Sequence, residues 1–86
     1  MLNKIKLALR RTGTTFDSEI QDCIGFVQRD LLDLGVPFFD DENPRIINLT
    51  ILYAKSHFNF DNKGDWFLKE YERLRNQITM QGDYKG

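Results

Sequence analysis

FDSEIQDCIGFVQRDLLDLG, residues Phe16 to Gly35, decides the fold class. Phe16, Ile20, Ile24, Val27, Leu31 and Leu34 keep a 3.6-residue period for five turns, the spacing of one apolar helix face. Cys23 flanks that stripe. Asp17 and Glu19 stand in the first turn, where anions suit the helix dipole. Gly35 follows the last periodic residue, as a C-terminal glycine does. The pattern predicts a helix over 16–34.

Three further helices surround it. Leu2, Ile5 and Leu9 share a face and predict a helix over 2–11, with Arg10 and Arg11 in the last turn and Gly13 as its stop. Pro37 pushes Val36 out of helical geometry, so Val36 to Asn43 reads as a loop, made acidic by Asp40, Asp41 and Glu42. Asn43 as N-cap and Pro44 at the first helical position open a helix over 44–58. Its apolar residues, from Ile46 to Ala54, surround almost the whole circumference, as in a central helix. Its β-branched residues leave a strand as the alternative. Asp61-Asn62-Lys63-Gly64-Asp65 is a turn cluster, with Asp65 capping a last helix over 66–80. Phe67, Tyr71, Leu74 and Ile78 form its stripe, and Glu70–Arg73 and Glu72–Arg75 are possible ion pairs on its wet side. The expectation is an all-α, compact bundle of about four helices, one domain over 1–86 with a tail fraying from about residue 81.

Composition narrows the function. The chain has 86 residues, 41% hydrophobic and 29% charged, which excludes a disordered chain. One cysteine excludes a disulfide framework and a cysteine-based zinc finger. No apolar run approaches the roughly 18 residues of a membrane span, and no secretory signal is read, so a soluble protein of a reducing compartment is expected. Net charge is −1, unevenly spread. Residues 1–11 hold Lys4, Lys6, Arg10 and Arg11 and no acid; residues 12–43 hold eight acids against Arg29. A basic start beside an acidic middle suits head-to-tail contact between copies, although solvated charge explains it as well.

Nothing in the sequence assembles a reactive centre. His57, the single histidine, reads as a structural residue and Cys23 as a buried, inert thiol. Neither the Asp40–Asn43 run nor the Asp61–Asp65 cluster has the ligand spacing of an EF-hand loop. No glycine-rich phosphate loop exists. The expectation is therefore no enzyme, no metal and no cofactor.

What remains is surface. A domain this small is marginal alone, and oligomerisation is one usual remedy. Gly25 costs roughly 1 kcal/mol relative to alanine inside a helix, and Leu32 lies on the same flank; close approach of another helix, within the fold or from a second copy, explains the pair. Phe26, Leu32, Phe38, Phe39 and Trp66 fall outside the core stripes. With Lys4, Arg10, Arg11, Asp40, Asp41 and Glu42 they are the candidate residues for contact with another copy or a partner. A second reading uses Lys4, Lys6, Arg10 and Arg11 as the DNA-contacting face of a small helical DNA-binding or regulatory protein.

The order and spacing of several segments resemble the small all-helical head–tail connector proteins of tailed bacteriophages and prophages, also described as head-completion or DNA-packaging proteins. The segments are Phe16-Asp17-Ser18-Glu19-Ile20, Asp30-Leu31-Leu32-Asp33-Leu34-Gly35-Val36, Pro44-Arg45-Ile46-Ile47, Leu52-Tyr53-Ala54-Lys55-Ser56-His57-Phe58 and Tyr71-Glu72-Arg73-Leu74. The resemblance runs from about Leu2 to Ile78. It implies a homo-oligomeric ring of about a dozen copies in the assembled particle, compatible with a monomer in isolation, with heterologous contacts closed by rotation. It implies partners too: a portal protein above, a downstream connector or tail protein below, double-stranded DNA in transient passage, and no membrane. The implied place is the virion head–tail junction, reached from the bacterial cytoplasm during assembly. The family supplies no catalytic residue to carry over.

Overall fold

The computed structural model describes residues 1–36 and 39–80. The described residues form four α-helices, α1 (Leu2–Ala8), α2 (Asp17–Asp33), α3 (Pro44–His57) and α4 (Gly64–Met80), with a short 3-10 turn at Phe60–Asn62. No strand occurs among them, so the β-branched residues of α3 stand in a helix. Phe38 and the tail from residue 81 lie outside the described residues.

α3 is the hub. It packs on α1, α2 and α4, most extensively on α4. That is why its apolar residues run all round: Ile46, Ile47, Leu49 and Ala54 are buried with the polar Thr50, and Ile51, Leu52 and Tyr53 are half-buried. Toward α4, Ile46 and Leu49 join Val27, Leu31, Val36, Tyr71 and Ile78 in one cluster. Toward α1, Ala54 joins Ile5, Leu9, Ile20 and Cys23 in another. The Thr50 hydroxyl, buried in this hub, donates to the Ile46 carbonyl one turn back at 2.8 Å, so it leaves no unmet donor.

Helix ends account for most departures from the sequence reading. α1 stops at Ala8, not Arg11. Arg10 takes a left-handed φ of 56°, its N–H donates to Leu7 O at 3.1 Å, and the Arg11 N–H donates to Lys6 O at 2.9 Å. This is a Schellman closure with arginine in the usual glycine place. α2 closes in the same way with the expected Gly35 at φ 94°: the Val36 N–H donates to Leu31 O at 2.8 Å, and both side chains enter the core. α4 begins at Gly64 instead of Trp66, so Asp65 lies inside the first turn and is not its cap. The cap is Asn59, itself left-handed, whose Oδ1 accepts the Gly64 N–H at 2.9 Å. A Cβ on Gly64 would stand 2.8 Å from that oxygen and 3.1 Å from Ser56 O, so the close crossing requires glycine. The predicted start of α3 holds: the Asn43 side chain accepts the Arg45 N–H at 2.9 Å, with Pro44 in the first turn.

The inward stripe of α2 is rotated relative to expectation. Ile20, Cys23, Val27 and Leu31 are buried, whereas Ile24 is half-buried and Leu34 is exposed. α1 and α3 meet α2 on its Cys23 side, which turns Leu34 outward. Of the two ion pairs expected along α4, Glu70–Arg73 forms. Arg75 instead reaches across to Asp30 of α2 at 3.1 Å, which links two helices rather than two turns of one.

Candidate interaction site

Tyr71 and Arg75 of α4 meet Asp30 of α2 in a packed contact between helices, and neither His57 nor Cys23 takes part in it. His57 is partly exposed, edge-on to Phe58 at 5.0 Å, with Nε2 3.4 Å from Glu19 Oε2. Cys23 is buried, and its thiol is pushed up to about 11 by burial and by the charges of Asp22 and Glu19. A thiol held neutral is a poor nucleophile and a poor metal ligand. Among the described residues no group of three or more His, Cys, Asp or Glu could hold a metal ion. No helix among them is long and apolar enough to cross a membrane.

The basic α1 region divides. Lys6 is taken up inside the chain, paired with Asp17 at 2.9 Å and donating to Gly13 O. Arg11 lies over the rings of Phe16 at 4.3 Å and Phe58 at 4.9 Å, which ties the end of α1 to α2 and α3. Lys4 and Arg10 stay exposed. Leu7 stands with them and is 78% exposed, two steps of about 100° round the helix from buried Ile5. The sequence reading missed Leu7, because listing inward positions says nothing of an apolar residue on the opposite side.

Of the other candidates, four come together. Phe39 and Asp41, with Met1, Leu2, Gln21, Ile24 and Gln28, line a groove of about 550 Å³ between the start of α1, α2 and the loop before α3. Gln28 also lines the next hollow, of about 270 Å³, with Gly25, Arg29 and Leu32. Gly25, Leu32, Phe39 and Asp41 thus share one continuous face. Asp40 is a local turn element, its carboxylate accepting the Glu42 N–H at 3.0 Å, and Glu42 is exposed.

Two candidates lie elsewhere. The Phe26 ring stacks on Tyr53 at 4.3 Å and 10°, so it lids the core while remaining half-exposed. Trp66 packs edge-on against Phe67 at 5.0 Å and, with Asp61 and Lys63, rims a third hollow beside the 3-10 turn. It is 54% exposed. The exposed apolar surface is therefore distributed over several sides of the bundle and not gathered in one cleft. That distribution suits a subunit with more than one neighbour.

A family model described as phage connector protein matches residues 1–85. No curated protein matches the chain. No solved structure matches it either.

Proposed function

Because the chain belongs to the phage connector protein family, a structural family, we propose that it acts as a ring-forming head–tail connector. In this reading the chain works as a single domain. Its copies close into an annulus by heterologous contacts, dock beneath the portal of a DNA-filled capsid, extend the DNA channel, and offer a platform to the next connector or tail protein. Its work is assembly by surface complementarity, without bond chemistry, at the head–tail junction of the virion.

The observation that carries the reading is the family match over residues 1–85. The spread of exposed apolar residues over separate sides supports it, since a ring subunit needs two unlike faces for its neighbours and others for its vertical partners. The DNA-binding reading is weakened by the engagement of Lys6 and Arg11 within the chain, which leaves Lys4 and Arg10 of the four cations to meet phosphates. A weakly associating subunit is compatible with a monomer in isolation, because a missing platform leaves ring contacts unpopulated.

Incubation with purified portal or emptied capsids, followed by electron microscopy, tests the proposal. Added annular density at saturating protein is the expected result. Unchanged portals would remove the connector reading.

A further inference from the structure

Gly25 stands in the middle of α2, and the described residues supply no reason for it. A Cβ there would meet no atom of the described residues within 4 Å, in contrast to the crowded Gly64. Neither is Gly25 among the positive-φ residues, so no special backbone shape calls for glycine. Among the described residues, no helix of the same chain approaches closely enough to explain the Gly25–Leu32 pair. Glycine weakens an exposed helix interior. What it contributes here is absence of bulk, the floor of the hollow formed with Gln28, Arg29 and Leu32.

The chain also carries a projection of matching kind. Leu7 protrudes from α1 on the side away from buried Ile5 and Leu9, with exposed Lys4 and Arg10 near it. Around the hollow, the exposed surface of α2 carries Asp22 and an Arg29–Asp33 pair, and Asp41 stands in the adjoining groove. The projection is basic and the recess has an acidic surround, which steers one toward the other and disfavours like meeting like.

We propose that α1 of one copy docks against α2 of the next, with Leu7 seated over Gly25 and beside Leu32, and Lys4 and Arg10 facing Asp22 and Asp41. The proposal rests on the ring reading and deepens it by naming the two faces that meet. Knob and recess sit on different helices of every chain, so the contact is heterologous and propagates from copy to copy.

Disulfide trapping tests it. A Leu7→Cys chain is mixed with a Leu32→Cys chain at saturating concentration on purified portals and oxidised. Cys23 stays silent because it is buried. The expected result is a mixed dimer several-fold above the dimer from either chain alone, and a ladder of higher oligomers from the doubly substituted chain. Adding Gly25→Leu to the Leu32→Cys chain should abolish the mixed dimer while thermal unfolding and helical content are kept, since none of the described residues occupies that space. Equal dimer in the single-chain controls, no mixed dimer, or a mixed dimer indifferent to Gly25→Leu would each overturn the contact. Annular density on portals without the 7–32 cross-link leaves the connector reading standing and removes this contact. The cross-link without annular density does the reverse.

Discussion

The Tyr71 hydroxyl of α4 donates a 2.5 Å hydrogen bond to Asp30 Oδ2 of α2, and Arg75 reaches the same oxygen at 3.1 Å. Tyr71 is buried, so its phenol sits in a low-dielectric site against a carboxylate. Tyr71→Phe removes one donor to a charged acceptor and should cost about 1.5–3 kcal/mol of folding stability. Urea denaturation at neutral pH measures it; an unchanged midpoint would show that Arg75 alone satisfies Asp30.

Alkaline stability follows from the same pair. Burial first, then the hydrogen bond and negative charge of Asp30, raise the Tyr71 phenol well above its ordinary value, with Arg75 opposing. In the unfolded chain a tyrosine loses its proton near pH 10. Above that pH the unfolded state binds fewer protons at this site than the folded state, so the Tyr71 contribution to stability should be level below it and fall as pH rises beyond it, on top of the earlier fall that the raised Cys23 thiol contributes. The fall should be shallower in Tyr71→Phe. Thermal midpoints from pH 8 to 11 check the sign, and equal slopes would contradict it.

Two leucines separate core from surface. Leu31 is wholly buried, and Leu31→Ala should destabilise by roughly 2–5 kcal/mol. Leu7→Ala should stay within about 0.5 kcal/mol of the unsubstituted chain. Chemical denaturation of both variants is decisive, and comparable losses would mean that α1 is turned the other way.

Two glycines should respond with opposite signs. Gly25→Ala relieves the entropy cost of a mid-helix glycine without a clash against any described residue and should stabilise by about 0.5–1 kcal/mol. Gly64→Ala forces a Cβ onto Asn59 and Ser56 and should destabilise by about 1–3 kcal/mol. Differential scanning calorimetry reads both, and a stabilised Gly64→Ala would place α4 wrongly against the end of α3.

Cys23 should resist alkylation at pH 8 in the folded chain and react once denaturant is added, because its thiol is buried and titrates near 11. Absorbance with a thiol reagent follows this directly. Rapid labelling under native conditions would put Cys23 outside the core.

The helices, their order and the central place of α3 could be read from periodicity and from the Asn43–Pro44 start, because those signals are local. The errors lie where partners are remote. Arg10 occupies a left-handed place that sequence patterns reserve for glycine, and two backbone hydrogen bonds with an arginine stacked on Phe16 and Phe58 hold it there. α4 is capped from Asn59, five residues before Gly64, so its first turn has no visible signal. Arg75 prefers Asp30, 45 residues away, to its neighbour Glu72. Among the candidate contact residues, type was readable and grouping was not. That Gly25, Leu32, Phe39 and Asp41 share a face depends on how the loop before α3 lies along α2.

α1 has seven residues, well short of the roughly 12–15 that a free helix needs in water. Its shape is therefore borrowed from the socket that receives Ile5 and Leu9. Should its outer side also be clasped by a neighbour, fraying of this one short rod would become costlier for both molecules together. Tightness of each molecule would then rise with the number of its companions.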